Sequence, residues 1–587
     1  MGLAVFLAGA VLLAPGAQEG REAVLARCAD CHPGPAASYA HTGMARALEP
    51  LRPGELAGLE PVPDETAGFR YSFEGDGSSA SIVEELLDPD ARPWRDSEPL
   101  AFAIGAGELD RSFVVKRHGR LWLAPLEVLR AGKGAHVALS PPHAMAPGSR
   151  FDLPVTPECL GCHTDSMPPR DWPLNALAPG WKPRGISCGA CHANLVEHVR
   201  HRTAELGGEP VSGADPITDF AAQSRTARMD VCAACHLQGD ARIELRTDHV
   251  GPPPPGTDLL ATRAVFVARE PTAEIGFVSH VQRLVLSRCW LESTGFPGGG
   301  LACETCHDPH RSTFEAEERA RVRAACATCH EPAGGAHGPR AADCKLAPDQ
   351  RPKDRDCVDC HMRRTGVFDV AEVEIHDHWI RGRPGPPTRA RSLRFPESPG
   401  GDWTIFQWPG SPAPEHARDP GLWTMALAHR GHLERALAEL VKGPGAFADR
   451  LAMLHHVRGS VLERANRLVD ARAAYERALV LDPLLAESSI NLGAVLTRLG
   501  KLAEARTVLE QVLARYPRAD SALRNRAALR LAMNDEAGAY ADLEASQRLL
   551  PSVPVAQALA RIAEARGDAA AARRWQAEAA QLDPRAP

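Results

Sequence analysis

From about residue 421 onward, apolar residues recur at helical spacing in a background of Ala, Leu, Arg and Glu. Pro483, Pro517, Pro551 and Pro584 punctuate this stretch at intervals of 34, 34 and 33 residues. Ala471, Ala505, Ala539 and Ala572 recur upstream of them, and Gly459 and Gly493 mark the same place one repeat apart. Small residues let two helices approach closely, and proline ends the second helix of each pair. The pattern predicts an α-solenoid of antiparallel helix pairs over 421–587, with 421–450 as a degenerate leading repeat. A different rhythm occupies 55–145. Phe69-Arg-Tyr-Ser-Phe73 alternates, and Ser112–Arg117, His118-Gly119 and Arg120–Leu123 read as a hairpin with a glycine turn, so a small β-rich insert is expected. Between 155 and 380 Pro and Gly are frequent and helical pieces short. Arg383-Pro-Gly-Pro-Pro387, Pro396-Glu-Ser-Pro399 and Pro409-Gly-Ser-Pro412 mark 381–420 as a linker.

The chemistry lies in the loop-rich part. Cys-x-x-Cys-His occurs seven times, with cysteine pairs Cys28/Cys31, Cys159/Cys162, Cys188/Cys191, Cys232/Cys235, Cys303/Cys306, Cys326/Cys329 and Cys357/Cys360. The histidines that follow are His32, His163, His192, His236, His307, His330 and His361. This pentad is the attachment signature of c-type haem. With 16 Cys and 24 His in 587 residues, chance would supply roughly 0.02 copies. Two thiols three residues apart can each take one vinyl group on the same porphyrin edge, and the adjacent histidine meets the iron from one face. A zinc knuckle or redox dithiol needs no histidine directly after the second cysteine. Seven covalent haems, and hence iron, are the expected cofactors, with electron transfer as the business of residues 21–380.

The sixth ligand decides what each iron does. Residues 1–380 hold 12 further histidines, enough to close every haem. His310, in Cys306-His307-Asp-Pro-His310, would serve a neighbouring haem. His280 stands alone in an apolar stretch. His198 lies six residues after His192, with His201 as rival, and His337 seven after His330. In Ile375-His376-Asp377-His378-Trp379, one histidine is expected to ligate and the other to support from outside the coordination sphere, with Asp377 between them, and His378 is favoured as the ligand. His41 or Met44 could close a haem near the N-terminus. His118 should decorate a turn, His249 is a further possibility, and His136 and His143 are evenly balanced. His416, His429, His432, His455 and His456 lie in linker and repeats and read as structural or exposed. Cys289 and Cys344 are left over, and an oxidising compartment permits a disulfide between them; two free thiols are the alternative.

Met1–Gly20 is apolar and rich in small residues, with Leu3–Leu13 of signal-peptide length and Ala14 and Gly16 suited to cleavage after Gly16. It lacks the usual Lys or Arg, so an uncleaved anchor is the alternative. No other stretch would span a membrane. Haem attachment to this pentad takes place outside the cytoplasmic membrane, so a periplasmic or secreted location is expected. The net charge of −7 and the absence of basic runs argue against nucleic acid.

Several segments carry a family resemblance. They are Cys28-Ala-Asp-Cys-His with Ser38–Arg46, Ile104-Gly-Ala-Gly107, Ile186–His192, Ser287-Arg-Cys289, Cys303–His310, and Asp356–Met362 with Asp377–Ile380. Together they resemble the secreted multihaem c-type cytochromes whose cytochrome c-552/4-like haem domain is followed by tetratricopeptide (TPR) repeats, a 34-residue helix-pair pattern. The resemblance covers nearly the whole chain. It implies a mainly α protein: a loop-rich multihaem domain with its β-rich insert, then a TPR solenoid. It also implies distant kinship to nitrite- and hydroxylamine-handling multihaem enzymes. Ammonia-forming nitrite reductases typically carry Cys-x-x-Cys-Lys at the active haem, and none occurs here, which counts against that activity. The expected function is electron transfer through the haems to redox partner proteins, with a protein or peptide held in the TPR groove. An oxidoreductase with one five-coordinate haem, acting on a small nitrogen or sulfur compound, is the second reading, and a scaffold built on the repeats a third.

Overall fold

The computed structural model describes residues 27–88, 93–130, 134–146, 148–166, 174–176, 180–246, 252–270, 275–295, 299–330, 357–370, 372–382, 403–443 and 445–585. The proposed signal segment, His249, His337 and Cys344 lie outside them. Three bodies of secondary structure follow one another. The first is an antiparallel sheet of β1 (Leu48–Glu49), β2 (Val62–Asp64), β3 (Phe69–Glu74), β4 (Ser81–Leu86), β5 (Arg95–Ile104), β6 (Asp110–Arg117), β7 (Arg120–Leu129) and β8 (His136–Leu139). Its order runs from β2 to β8 in sequence, β1 pairs with β5, and β2 comes beside β8, so the sheet nearly closes. Phe69, Tyr71, Ile82, Phe113, Val115 and Leu126 fill its interior. The β6–β7 turn is His118-Gly119, with φ of 52° and 74°. Both residues at positive φ give the two-residue hairpin turn whose twist matches the flanking strands, and histidine takes the first place at some backbone cost.

The haem-motif region follows as short helices and loops, with small sheets at its border. β9 (Ala241–Glu244) and β10 (Arg263–Ala268) pair antiparallel, β11 (Arg364–Gly366) pairs with β12 (Glu374–His376), and β13 (Trp403–Ile405) adds to β10. β13 lies within the stretch expected to be an irregular linker. Trp403, Ile405, Phe406 and Trp408 are buried. Four large apolar side chains between two proline clusters gained more from burial than the prolines cost, because the prolines flank the strand and never interrupt it.

The C-terminal body is a run of ten helices: α1 (Pro420–His429), α2 (Leu433–Leu440), α3 (Ala452–Arg464), α4 (Leu468–Leu481), α5 (Ala486–Arg498), α6 (Leu502–Arg515), α7 (Asp520–Ala532), α8 (Glu536–Leu549), α9 (Val553–Ala565) and α10 (Ala569–Leu582). They pack as successive antiparallel pairs. The recurrent alanines Ala471, Ala505, Ala539 and Ala572 are buried at the pair contacts. A Cβ at Gly459 would stand 2.5 Å from the Tyr475 ring, and one at Gly493 2.6 Å from Leu509. These two glycines are fixed by the close approach of the paired helices. Among the described residues no helix is long and apolar enough to cross a membrane.

The solenoid is held at both ends. At its start, Leu422, Met425, Ala426 and Leu454 share one apolar cluster with Ile243, Phe266, Trp403 and Ile405 of the β9–β10–β13 sheet. Farther along, two inter-repeat turns and the end of α10 meet the large sheet. After α6, Asp520 pairs with buried Arg120 of β7, and Arg518 lies beside Gly119. After α8, Leu550 packs on the sheet's core. After α10, the carbonyls of Gln581 and Leu582 accept from Trp94 Nε1 at 3.0 Å and Arg150 Nη1 at 3.1 Å, and Arg585 donates to the Ala67 carbonyl. Removing one partner of a buried ion pair leaves the other charge uncompensated, at about 3–5 kcal/mol. Asp520→Ala should therefore lower the denaturation midpoint by about that free energy, whereas the double change Arg120→Met with Asp520→Leu should be close to neutral by the same measurement.

Candidate functional site

Each described pentad sits on a helical turn. Cys28–Cys31, Cys303–Cys306 and Cys357–His361 form short helices, Cys188–Ala190 a 3₁₀ turn, and Cys159 lies in the helix Pro157–Leu160. Cys232–His236 and Cys326–His330 end the helices Arg225–His236 and Ala316–His330. The turn is closed from the histidine: the N–H of His32 donates to the Cys28 carbonyl at 2.8 Å, that of His192 to Cys188 at 2.9 Å and that of His307 to Cys303 at 3.0 Å. Residues three and four apart share a face of such a turn, so both thiols and the imidazole project to one side.

The pentads are packed together. Cys28 lies within side-chain hydrogen-bonding reach of Cys188, Cys162 of Cys235, and Cys232 of Cys303. Cys191 is within electrostatic range of Cys232, and Cys306 of Cys326. The first, third, fourth, fifth and sixth motifs therefore form a line, and the second branches from the fourth. The helices Ala316–His330 and Cys357–His361 touch, which sets the seventh motif beside the sixth.

Cys329, expected to anchor the sixth haem, is less enclosed than the thiols at the middle of the line, and Cys360 is expected to anchor the seventh. Cys329 is exposed on the last turn of its helix and lies within electrostatic range of Cys289. Cys360 is half-buried, and its motif partner Cys357 is exposed. The cause is local composition. Glu317, Arg319, Arg321 and Arg323 line the sixth motif's helix, and charged side chains do not supply an apolar cover. Neither thiol is in a disulfide, so both are available for thioether bonds, which hold a haem without a closed pocket.

Four motif histidines face a second histidine. His32 and His198 are stacked with centroids 6.3 Å apart and planes at 23°. His192 and His310 are stacked at 6.2 Å and 17°. His307 and His378 stand 6.2 Å apart, and His236 and His280 5.3 Å apart, with His280 also 4.6 Å from His378. With metal–imidazole bonds of about 2 Å on each side and about 1 Å more to each ring centre, an iron between two histidines sets their centroids roughly 6 Å apart. Three pairs meet that spacing and the fourth is slightly closed up. The other nitrogen of several rings is already engaged. His198 Nδ1 donates to Asp215 at 2.7 Å, His310 Nδ1 to Asp308 at 3.2 Å, His378 Nδ1 to the His376 carbonyl at 3.0 Å, and His361 Nδ1 to the Arg381 carbonyl at 2.8 Å. Such bonds leave Nε2 to face inward. The residues present fit c-type haem.

Other expected residues are placed differently. His41 is exposed, and no histidine ring stands against it among the described residues. Met44 offers its carbonyl to the Ile186 N–H at 2.9 Å. His143 uses both nitrogens, on Ser140 Oγ and the Arg150 carbonyl, each at 2.7 Å, so it is structural. His376 Nδ1 donates to the Met362 carbonyl at 3.0 Å. Asp377, between His376 and His378 in sequence, has a partner of its own. It is buried against Arg283, with hydrogen bonds of 2.6 and 2.9 Å. Burial pushes its carboxyl up, but the bonds from Arg283 outweigh this and hold it below the usual carboxylate range. Cys289 is half-buried, and its thiol is raised by burial.

His163 differs from the four paired histidines: among the described residues no ring stands opposite it. Burial lowers its basicity, and a hydrogen bond with the Ala47 carbonyl offsets part of that. Its motif also has a cationic flank absent from the sequence reading. Arg242 Nη1 lies 3.6 Å from Cys162 Sγ, and Arg263 Nη1 donates to the Ala234 carbonyl, inside the fourth motif, at 2.6 Å. The Cys162 thiol is pushed down to about 4, first by the hydrogen bond from Cys235 and then by Arg242. Tyr39 was also missed. Its hydroxyl donates to the Ile186 carbonyl at 2.9 Å and its ring meets His310 edge-on at 6.4 Å. Only five tyrosines occur in the chain, and Tyr39 follows the first motif by seven residues, which was the available signal.

A family model described as the doubled CXXCH motif matches residues 297–335, which contain the fifth and sixth pentads. No curated protein matches the chain. Among solved structures, MamA from Desulfovibrio magneticus RS-1 is 20% identical over 28% of this chain and 93% of its own, with a TM-score of 0.26. PilF of Pseudomonas aeruginosa is 24% identical over 28% and 74%, at 0.25. YrrB, a TPR protein with an unusual peptide-binding site, is 17% identical over 28% and 86%, at 0.25. Paired haem-attachment motifs in a loop-rich domain define a multihaem c-type cytochrome. In this one the haem-motif region is followed by helix pairs at the TPR period.

If the opposed rings are axial pairs, His198→Ala and His310→Ala should each convert one low-spin haem to high spin, read by EPR. His41→Ala should leave the spectrum unchanged.

Proposed function

We propose that this protein is an extracytoplasmic electron-transfer cytochrome that carries seven covalent haems. The four opposed histidine pairs are the observation that carries the reading: two imidazoles per iron make a closed, low-spin centre that exchanges electrons without binding substrate. Each haem, when bound, supplies an iron that accepts and returns one electron. The residues hold these irons close together, because neighbouring motifs are in contact through their cysteines. Asp215, Asp308 and backbone carbonyls fix the ring orientations from behind. His330 and His361 are the proximal ligands of the sixth and seventh haems, with His337 a ligand in the same region. Redox partner proteins exchange electrons with the cluster, and the TPR surface holds one of them or a peptide.

His163 favours a second reading beside the first. Among the described residues no ring opposes His163, and a second haem with a free coordination position is what an oxidoreductase acting on a small nitrogen or sulfur compound would need.

The intact mass of the purified protein should exceed that of the polypeptide by seven haems, and a smaller excess would overturn the count. EPR should show mostly low-spin iron with one high-spin component that changes on adding nitrite or hydroxylamine. An entirely low-spin spectrum would remove the second reading and leave the first.

A further inference from the structure

Arg242, Glu244 and Arg263 form a group of three charges on β9 and β10, against the cysteines of the second and fourth motifs. Arg242 Nε lies 3.1 Å from Glu244, and Arg263 Nη2 3.3 Å from the same carboxylate. One carboxylate stands between two guanidinium groups, so the group carries a net positive charge. The balance is more cationic than the count suggests. The Arg263 side chain is 3% exposed, whereas that of Glu244 is 40% exposed and better screened by water. Arg263 Nε is buried without a hydrogen-bond partner among the described residues, a cost that packing alone does not require.

Haem propionates are the usual partners of arginines near a porphyrin. They hang from the edge opposite the thioether bonds. Arg242 sits 3.6 Å from Cys162 Sγ, on the thioether edge, so the propionates of that haem are on its far side. The fourth motif has a mixed environment. Cys235 faces the two arginines, but Cys232 faces Cys303 and Glu304, and Glu304 is paired with Arg228 at 2.6 Å. At the second motif Cys162 faces Arg242, with Arg263 and the more exposed Glu244 beside it.

We propose that Arg242 and Arg263 raise the reduction potential of the iron anchored at Cys159, Cys162 and His163, making this branch of the cluster the place where electrons settle. Reduction lowers the charge of the iron by one, and a buried cation stabilises the reduced form over the oxidised form. The electron is given up by a neighbouring ferrous iron, which becomes ferric as the iron at His163 becomes ferrous. No other co-reactant is needed. The fourth motif, in contact through Cys235 and Cys162, is the donor. The inference rests on the multihaem reading above and gives direction to that cluster: electrons entering along the line of motifs run to its side branch.

The test is a potentiometric titration of the haem-loaded, full-length protein, followed optically and by EPR. Arg242→Gln and Arg263→Gln should each move one component to lower potential, and Glu244→Gln should move the same component to higher potential. Arg242→Lys, which keeps the charge, should restore most of the Arg242→Gln shift. Opposite signs from neighbouring substitutions are not what loosened packing produces. Full haem content with unmoved midpoints, or one uniform shift of every component, would overturn the proposal and leave the cytochrome reading intact. A haem count below seven in the unsubstituted protein would count against that reading instead. If a glutamine variant loses haem, the Glu244→Gln and Arg242→Lys arms still decide.

Discussion

Opposed histidine rings at about 6 Å are the spacing on which the haem region depends. A protein of short helices and loops has few apolar side chains with which to set distances. Here the second histidines come from helices and turns distant in sequence: His198 faces His32, and His310 faces His192. Each such pair brings two segments remote in sequence face to face. The pairing of the first motif with a histidine after the third, and of the third with a histidine after the fifth, interlocks the region.

Much of this was legible in the sequence, for a physical reason. The pentads are local: three residues of spacing and one helical turn place both thiols and the imidazole. The TPR period is local as well, because each helix pair contacts only its neighbours. His198, His280, His310 and His378 could be singled out because a histidine beside a motif or alone in an apolar stretch needs a reason. Which motif each would face could not be read, since that is set by contacts far apart in sequence. His41 shows the limit, being close to a motif in sequence and exposed in space. Cys329 shows it too: its pentad reads like the others, and only the packing leaves its thiol exposed where those at the middle of the line are half-buried.

The residues that escaped notice were those defined by tertiary contact alone. Arg242 and Arg263 look like ordinary strand arginines until the β9–β10 pair carries them against Cys162 and Cys235. β13 was hidden because prolines on both sides of Trp403–Phe406 suggested irregular chain, and only the free edge of β10 gave the segment a partner. The clamp between solenoid and large sheet was invisible for the same reason. Arg120, Asp520 and Trp94 carry no local pattern that announces a contact hundreds of residues away.

The inter-repeat turns after α6 and α8 and the end of α10 all fall on one edge of the solenoid, because a constant repeat length returns the chain to the same side each time. The large sheet makes contact with those turns in succession, so it acts as a ruler for the array. Repeat arrays ordinarily gain or lose whole units by duplication and deletion. In this chain an extra helix pair inserted between α4 and α7 would carry Asp520 past Arg120 and Arg585 past Ala67 together. The number of repeats is thereby fixed by the width of a sheet that belongs to another part of the molecule.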